Sequence, residues 1–182
     1  MHAYNCTYNL PVVIVRPFNN YGPKQHLEKL IPRLITSAIQ GKPLTIHGTG
    51  EQKRDWVNVK DVCIALDKIL NLQDFSIVKG QEINIGTGKG ISVLEIANMV
   101  RKYFNLPEAQ LKFIGDRPGQ VDTHIASFEK ARFLLGWAST IDFEKGLEST
   151  IKWYIDNPSY WRKLEDSARI PIKAVNNQIE LQ

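Results

Sequence analysis

The chain has 182 residues, 43% of them hydrophobic and 23% charged, which is ordinary composition for a folded globular protein of one domain, or one domain and part of another. Its formal charge is +4, with no dense basic block interleaved with aromatics, and this argues against a nucleic-acid partner. No apolar run nears the roughly 20 residues that cross a bilayer, the start MHAYNCTYNLP has no apolar signal segment, and the two cysteines give neither a disulfide framework nor metal-ligand spacing. A reducing, cytoplasmic setting without membrane or metal is the expectation.

In chain order, residues 1–9 read as the end of a helix, with Tyr4 and Tyr8 on one face and Asn9 as its stop. Pro11 to Val15 is a continuous apolar run, which suits a strand buried on both faces of a parallel sheet. Residues 18–26 are rich in Asn, Gly and Pro and read as a loop. Residues 28–40 carry Leu30, Ile31, Leu34, Ile35, Ala38 and Ile39 at helical spacing, and Gly41 follows. Leu44–His47 and 54–59 read as strands joined by a turn at Gly48-Thr49-Gly50. Residues 60–71 form a helix with Val62, Ala65, Leu66 and Ile69 on one side, and Cys63 in this run reads as a small buried hydrophobe. Glu82–Ile85 is a strand. Ser92 and Glu95 form a capping box for the next helix. Leu111–Ile114 is a short strand, Ser127 caps a helix that Gly136 ends, and 142–155 is another helix. Residues 159–182 show weak periodicity. Strands alternate with helices, so the class is α/β.

Several motifs have a plain reading beside a functional one. Gly86, Gly88 and Gly90 follow a strand and precede a helix, the setting of a dinucleotide loop, but the pattern needs a third glycine at 91 and Ile91 stands there. A simple strand–turn–helix connection accounts for them. Asn19 and Asn20 fit a turn. Arg54, beside Trp56, and Arg117, opening an RPG turn, fit a solvated face or a forked contact to phosphate.

Taken in order, RPFNNYGP (16–23), EKLIP (28–32), the run from Gly41 to Val62 containing RDWVNVKDV, NIGTG (84–88), RPGQVD (117–122) and LLGW (134–137) make the chain resemble the extended short-chain dehydrogenase/reductase family. It is most similar to the nucleotide-sugar 4,6-dehydratase branch, typified by dTDP-glucose 4,6-dehydratase. The resemblance implies a Rossmann-type domain that holds NAD and carries a Tyr-x-x-x-Lys pair, followed by a small α/β domain that holds a nucleoside-diphosphate sugar. In that frame residues 1–26 are a remnant of the Rossmann domain, 27–157 the nucleotide-sugar-binding domain with a returning Rossmann strand near 82–86, and 158–182 a tail. Four residues after the six tyrosines stand Tyr8, Val12, Gln25, Pro107, Pro158 and Leu164, none of them lysine. No catalytic residue and no complete NAD site are therefore expected in these residues.

The resemblance places substrate contacts at Asn19, Lys29, Leu30, Thr45, His47, Arg54, Asn84 and Arg117. Thr45 and His47 match the strand on which the nucleobase lies, where dehydratases often carry Pro and Tyr. Pro17 and Phe18 match residues beside the nicotinamide in a complete enzyme, and here are expected to face nothing. A strand at Val12–Val15 wants neighbours on both sides, so an exposed apolar edge that self-associates or docks onto another polypeptide is expected. The functional expectation is the nucleotide-sugar-binding portion of a 4,6-dehydratase, inactive by itself. The same portion of a 4-epimerase or decarboxylase, or a non-catalytic interaction module, is the alternative.

Overall fold

The computed structural model describes residues 1–116, 119–165, 171–173 and 179–181. A short helix α1 (His2–Tyr8) ends on Asn9 in the left-handed conformation, φ 54°, and leads to strand β1 (Ile14–Pro17). Tyr4 and Tyr8 do share a face, their rings 5.6 Å apart, but no residue of α1 is buried. Strand β2 (Asn19–Tyr21) lies inside the stretch expected to be a loop. Asn-rich sequence carries no strand signal of its own, and pairing with another strand makes it one.

Helix α2 (Leu30–Ile39) buries Ile31, Leu34, Ile35 and Ala38, and leads through a turn to β3 (Leu44–His47). The glycine turn then gives β4 (Lys53–Asn58), whose last residue caps α3 (Val59–Leu70) by accepting from the Lys60 amide. Strands β5 (Glu82–Ile85) and β6 (Gly90–Ser92) flank the second glycine cluster, and α4 (Val93–Tyr103) opens with the Ser92–Glu95 capping box. The Ser92 amide, which donates to Glu95 Oε2 at 2.7 Å, and then the Ser92 side chain hold the Glu95 carboxyl below its usual range. Then follow β7 (Leu111–Ile114), the two-residue β8 (Thr123–His124), α5 (Glu129–Leu135), α6 (Phe143–Asp156), α7 (Pro158–Trp161), β9 (Pro171–Lys173) and β10 (Ile179–Leu181).

Two expectations are corrected here. Cys63 is exposed, and so is Leu66. In α3 the buried apolar residues are Val62, Ala65 and Ile69. That stripe of i, i+3, i+7 leaves positions one and four residues on from Val62 at its margin. Ser127 does not cap α5, because the helix begins one residue later, after Phe128, without a side-chain cap. Gly136 does end it, in the left-handed conformation.

The strands form separate small ladders. β1 runs parallel to β5, with Ile14 opposite Glu82 and Arg16 opposite Asn84. β4 is the hub of the largest ladder, parallel to β2 and β8 and antiparallel to β6. β3 runs parallel to β7. Alternation along β4 divides the core. Trp56 joins Tyr21, Ile31, Ile35, Ile96, Leu147 and Trp161 in a cluster closed by α2, α4 and α6. Its neighbour Val57 joins Val62, Ile83, Ile85, Ala131 and Trp137 in a cluster between α3, α5 and β5. Each of the three buried indoles satisfies its N–H on a backbone carbonyl: Trp56 on Ile91, Trp137 on Asp61 and Trp161 on Tyr154.

Two buried carboxylates tie loops onto this frame. Asp61, at the start of α3, accepts from the Thr140 amide (3.2 Å), the Thr140 hydroxyl (2.8 Å) and the Ile141 amide (3.1 Å). Asp55, fully buried in β4, accepts from the Thr87 amide and hydroxyl, the Gly88 amide and the Ala126 amide, at 2.7–3.1 Å. Gly86 makes that convergence possible, since a Cβ there would lie 2.4 Å from the Ala126 Cβ and 2.8 Å from an Asp55 oxygen.

Asp55→Asn puts an amide group where donors converge and leaves at least one buried N–H unpaired. The expected loss is about 2–4 kcal/mol, read as a lowered urea midpoint at unchanged slope. Gly146→Ala pits two effects against each other. Alanine in mid-helix gains about 1 kcal/mol by propensity. The new Cβ, however, would sit 2.2 Å from the buried Tyr21 hydroxyl oxygen. Overpacking costs typically 1–3 kcal/mol, so net destabilisation is expected on thermal melting.

Candidate functional site

β1 delivers the chain to Phe18, whose amide donates to the Ile85 carbonyl at 2.9 Å. One residue later Asn19 is paired with Trp56 of β4. The stretch 17–19 therefore bridges the β1–β5 pair and the β4 ladder. A second connection crosses the same gap. His124 is opposite Arg54 in the β8–β4 ladder, the Ala126 amide donates to Asp55, and the Ser127 carbonyl accepts from the Asn84 side chain at 3.5 Å. These two bridges gather Asn19, Arg54 and Asn84 at one seam between the ladders.

Arg54 is half-buried at this seam. Its Nη1 donates to the Lys53 carbonyl at 2.9 Å and the Asp122 carbonyl at 3.4 Å. Its Nε and Nη2 groups make no hydrogen bond to a described residue. That leaves the edge of the guanidinium whose parallel N–H pair matches two oxygens of a carboxylate or phosphate. Asn19 lies in the row of Trp56, one pleat repeat from Arg54, or about 7 Å along the strand. A cation with a free fork and an amide side chain at that spacing suit a phosphate ester.

Phe18 does not face nothing. Its ring packs on the His124 ring with centroids 4.7 Å apart. The two-residue strand that brings His124 there pairs with a segment about 70 positions away, a non-local contact that periodicity cannot show. Pro17 is exposed at the end of β1, opposite Ile85.

The remaining candidates sit on a second group around β3. Thr45 is half-buried opposite Lys112, and its carbonyl accepts from Arg33 Nη2 at 3.4 Å. His47 is buried, with Nδ1 2.7 Å from the Gly115 carbonyl. The Asp116 carboxylate lies against Gly48, where a Cβ would meet it at 2.9 Å. The ladder thus carries the chain to the residue before Arg117, and Arg117 itself lies outside the described residues. Lys29 is exposed and ion-paired with Glu28 at 2.7 Å, and Leu30 opens α2 against the first core cluster.

Sequence reasoning did not single out Arg33, Asp55 or His124 for roles. Asp55 carried a signal, because strand alternation puts it on the face of Val57, toward the core. Among the described residues no cluster of three or more His, Cys, Asp or Glu side chains forms a metal site, and no helix is long and apolar enough to cross a membrane.

Comparison with known proteins fits this architecture. The family described as GDP-mannose 4,6 dehydratase matches residues 1–150. A dTDP-glucose 4,6-dehydratase of Haemophilus influenzae is 38% identical over 166 residues, covering 87% of this chain and 49% of that protein. The crystal structure of a dTDP-glucose 4,6-dehydratase from Bacillus anthracis, in complex with NAD, superposes with a TM-score of 0.83 at 34% identity, over 90% of this chain and 50% of that one. A UDP-glucuronic acid 4-epimerase from Bacillus cereus, in complex with UDP-glucuronic acid and NAD, gives 0.79 at 32% identity, over 85% and 48%. The chain spans about half the length of these relatives. With its motifs in family order on this α/β frame, the chain belongs to the extended short-chain dehydrogenase/reductase family of nucleotide-sugar epimerases and dehydratases.

Proposed function

We propose that these residues are the nucleotide-sugar-binding portion of an NAD-dependent nucleotide-sugar 4,6-dehydratase, and that they bind substrate without transforming it. The observation that carries this reading is the Arg54 guanidinium, anchored through Nη1 with its Nε–Nη2 edge free, one pleat repeat from the row of Asn19. In this reading Arg54 and Arg117 hold the diphosphate, Asn19 and Asn84 contact sugar and nucleoside, and Lys29, Leu30, Thr45 and His47 form the base end. His47 acts there through the backbone it holds, since burial keeps its ring from stacking broadly on a base.

The domain reading follows the same line. Residues 1–26 belong with a Rossmann domain, 27–157 with the binding domain, whose 82–86 strand returns to it, and 158–182 form a tail. Among the described residues β1 pairs with β5 alone, and α1 buries nothing. The open edge of β1, with exposed Tyr4, Tyr8 and Leu10 beside it, is where a Rossmann half or a second copy would dock. In a complete enzyme NAD would supply hydride acceptance and return. Pro17 and Phe18 would border its nicotinamide. None of the six tyrosines stands four residues before a lysine, so this chain supplies no tyrosine acid/base pair.

Calorimetry with dTDP-glucose and UDP-glucose tests the reading. Micromolar binding is expected, with no turnover when NAD is added. Arg54→Ala should weaken it about tenfold or more, the worth of a charge-assisted hydrogen bond, at an unchanged melting temperature. Arg54→Ala with Arg117→Ala should abolish it. Undiminished binding by the double variant, or none by the parent chain, overturns the reading.

A further inference from the structure

We propose that His124 is a further, proton-dependent contact to the substrate diphosphate, acting beside Arg54. The inference rests on the nucleotide-sugar reading above and adds a residue to it. β6 and β8 both pair with Lys53 and Arg54, so they occupy opposite edges of β4. His124, opposite Arg54, therefore lies on the edge away from β6, and its stack on Phe18 places it where β2 begins with Asn19. The ring is exposed, yet its tilt is set, at 35° to the Phe18 plane. Its nitrogens make no hydrogen bond or ion pair to any described residue. An exposed imidazole fixed by stacking, with both nitrogens available next to an arginine fork, is placed to donate to an anion held by that fork.

The charges around the ring decide when it does so. Arg54 and Lys53 approach from β4, and Asp122 precedes β8. The segment bearing Phe18 brings Arg16, which is neutralised by Glu82 at 2.7 Å. A bound diphosphate attracts a protonated ring and gains no such attraction from a neutral one. Histidine gains its proton across the range of about pH 5–8, where the phosphates of a nucleotide sugar keep constant charge. Affinity should therefore rise as pH falls, although no acid in the ligand titrates.

The test is titration of UDP-glucose into the full chain by calorimetry at about pH 6 and about pH 8, in buffers of differing ionisation enthalpy, with the parent chain and with His124→Gln. Expected for the parent is roughly five- to tenfold tighter binding at the lower pH and net proton uptake near neutrality. His124→Gln should bind like the parent at the higher pH, with a flat profile and no proton uptake. The same pH slope in both proteins overturns the role of His124. So does a flat parent profile whose affinity still falls on Arg54→Ala, which leaves the nucleotide-sugar reading standing. Absence of binding at either pH overturns both.

Discussion

The Asp55 carboxylate, shut away from water, is the point from which the binding seam is built. Its oxygens take hydrogen bonds from two segments far apart in sequence, the turn after β5 and the stretch before α5. A buried charge is costly unless its lone pairs are filled, and here backbone amides from Thr87, Gly88 and Ala126 and one hydroxyl fill them. The geometry tolerates no side chain at Gly86. The glycine cluster, set like a dinucleotide loop but read in the sequence as a plain strand–turn–helix connection, works as the socket of a protein carboxylate. Its amides face inward to Asp55 and are not available to a ligand.

Much of the fold was legible because local signals agree with it. The Ser92–Glu95 capping box, the left-handed stops at Asn9 and Gly136, and the apolar stripes of α2 and α4 were readable from neighbouring residues alone. What failed was of two kinds. In α3 the run is apolar nearly all round, so periodicity could not say which of Val62, Cys63, Ile64, Ala65 and Leu66 faces the core. Packing against β4 and α5 decided it. β2 and β8 are strands only because β4 is beside them, and neither Asn-Asn-Tyr nor Thr-His announces that. The candidate site shows the same division. Arg54 and Asn19 could be named from motifs, but their adjacency rests on a parallel pairing between residues far apart in sequence, and the stack of Phe18 on His124 follows from that pairing.

The two core clusters differ in how closed they are, and this bears on what the chain does. The cluster of Trp56 is enclosed by three helices and sealed by Tyr154 and Trp161. Burial pushes the Tyr154 hydroxyl above its ordinary range, and it donates to the Gln25 carbonyl at 2.6 Å. That bond ties α6 to the loop following β2. The cluster of Val57 is thinner toward β1, where Val13 and Val15 are only partly covered. The seam lies between these halves. Arg54 and Asn19 are held from the closed side, through β4 and β2, whereas Pro17 and Asn84 belong to the β1–β5 pair on the open side.

This asymmetry sets what recognition requires. On the proposed reading the strongest contacts to a phosphate would come from residues whose backbone is fixed by a complete core, so their placement does not wait for a partner surface. Ordering Arg54 costs less because its Nη1 is already bound to two carbonyls, and a pre-ordered side chain loses little entropy when a ligand arrives. On the same reading the open side carries the residues that would border a hydride carrier, and a surface docked on β1 would complete their aim. On that reading, a chain built this way would hold a diphosphate through its closed half and leave the chemistry to a surface docked on its open half.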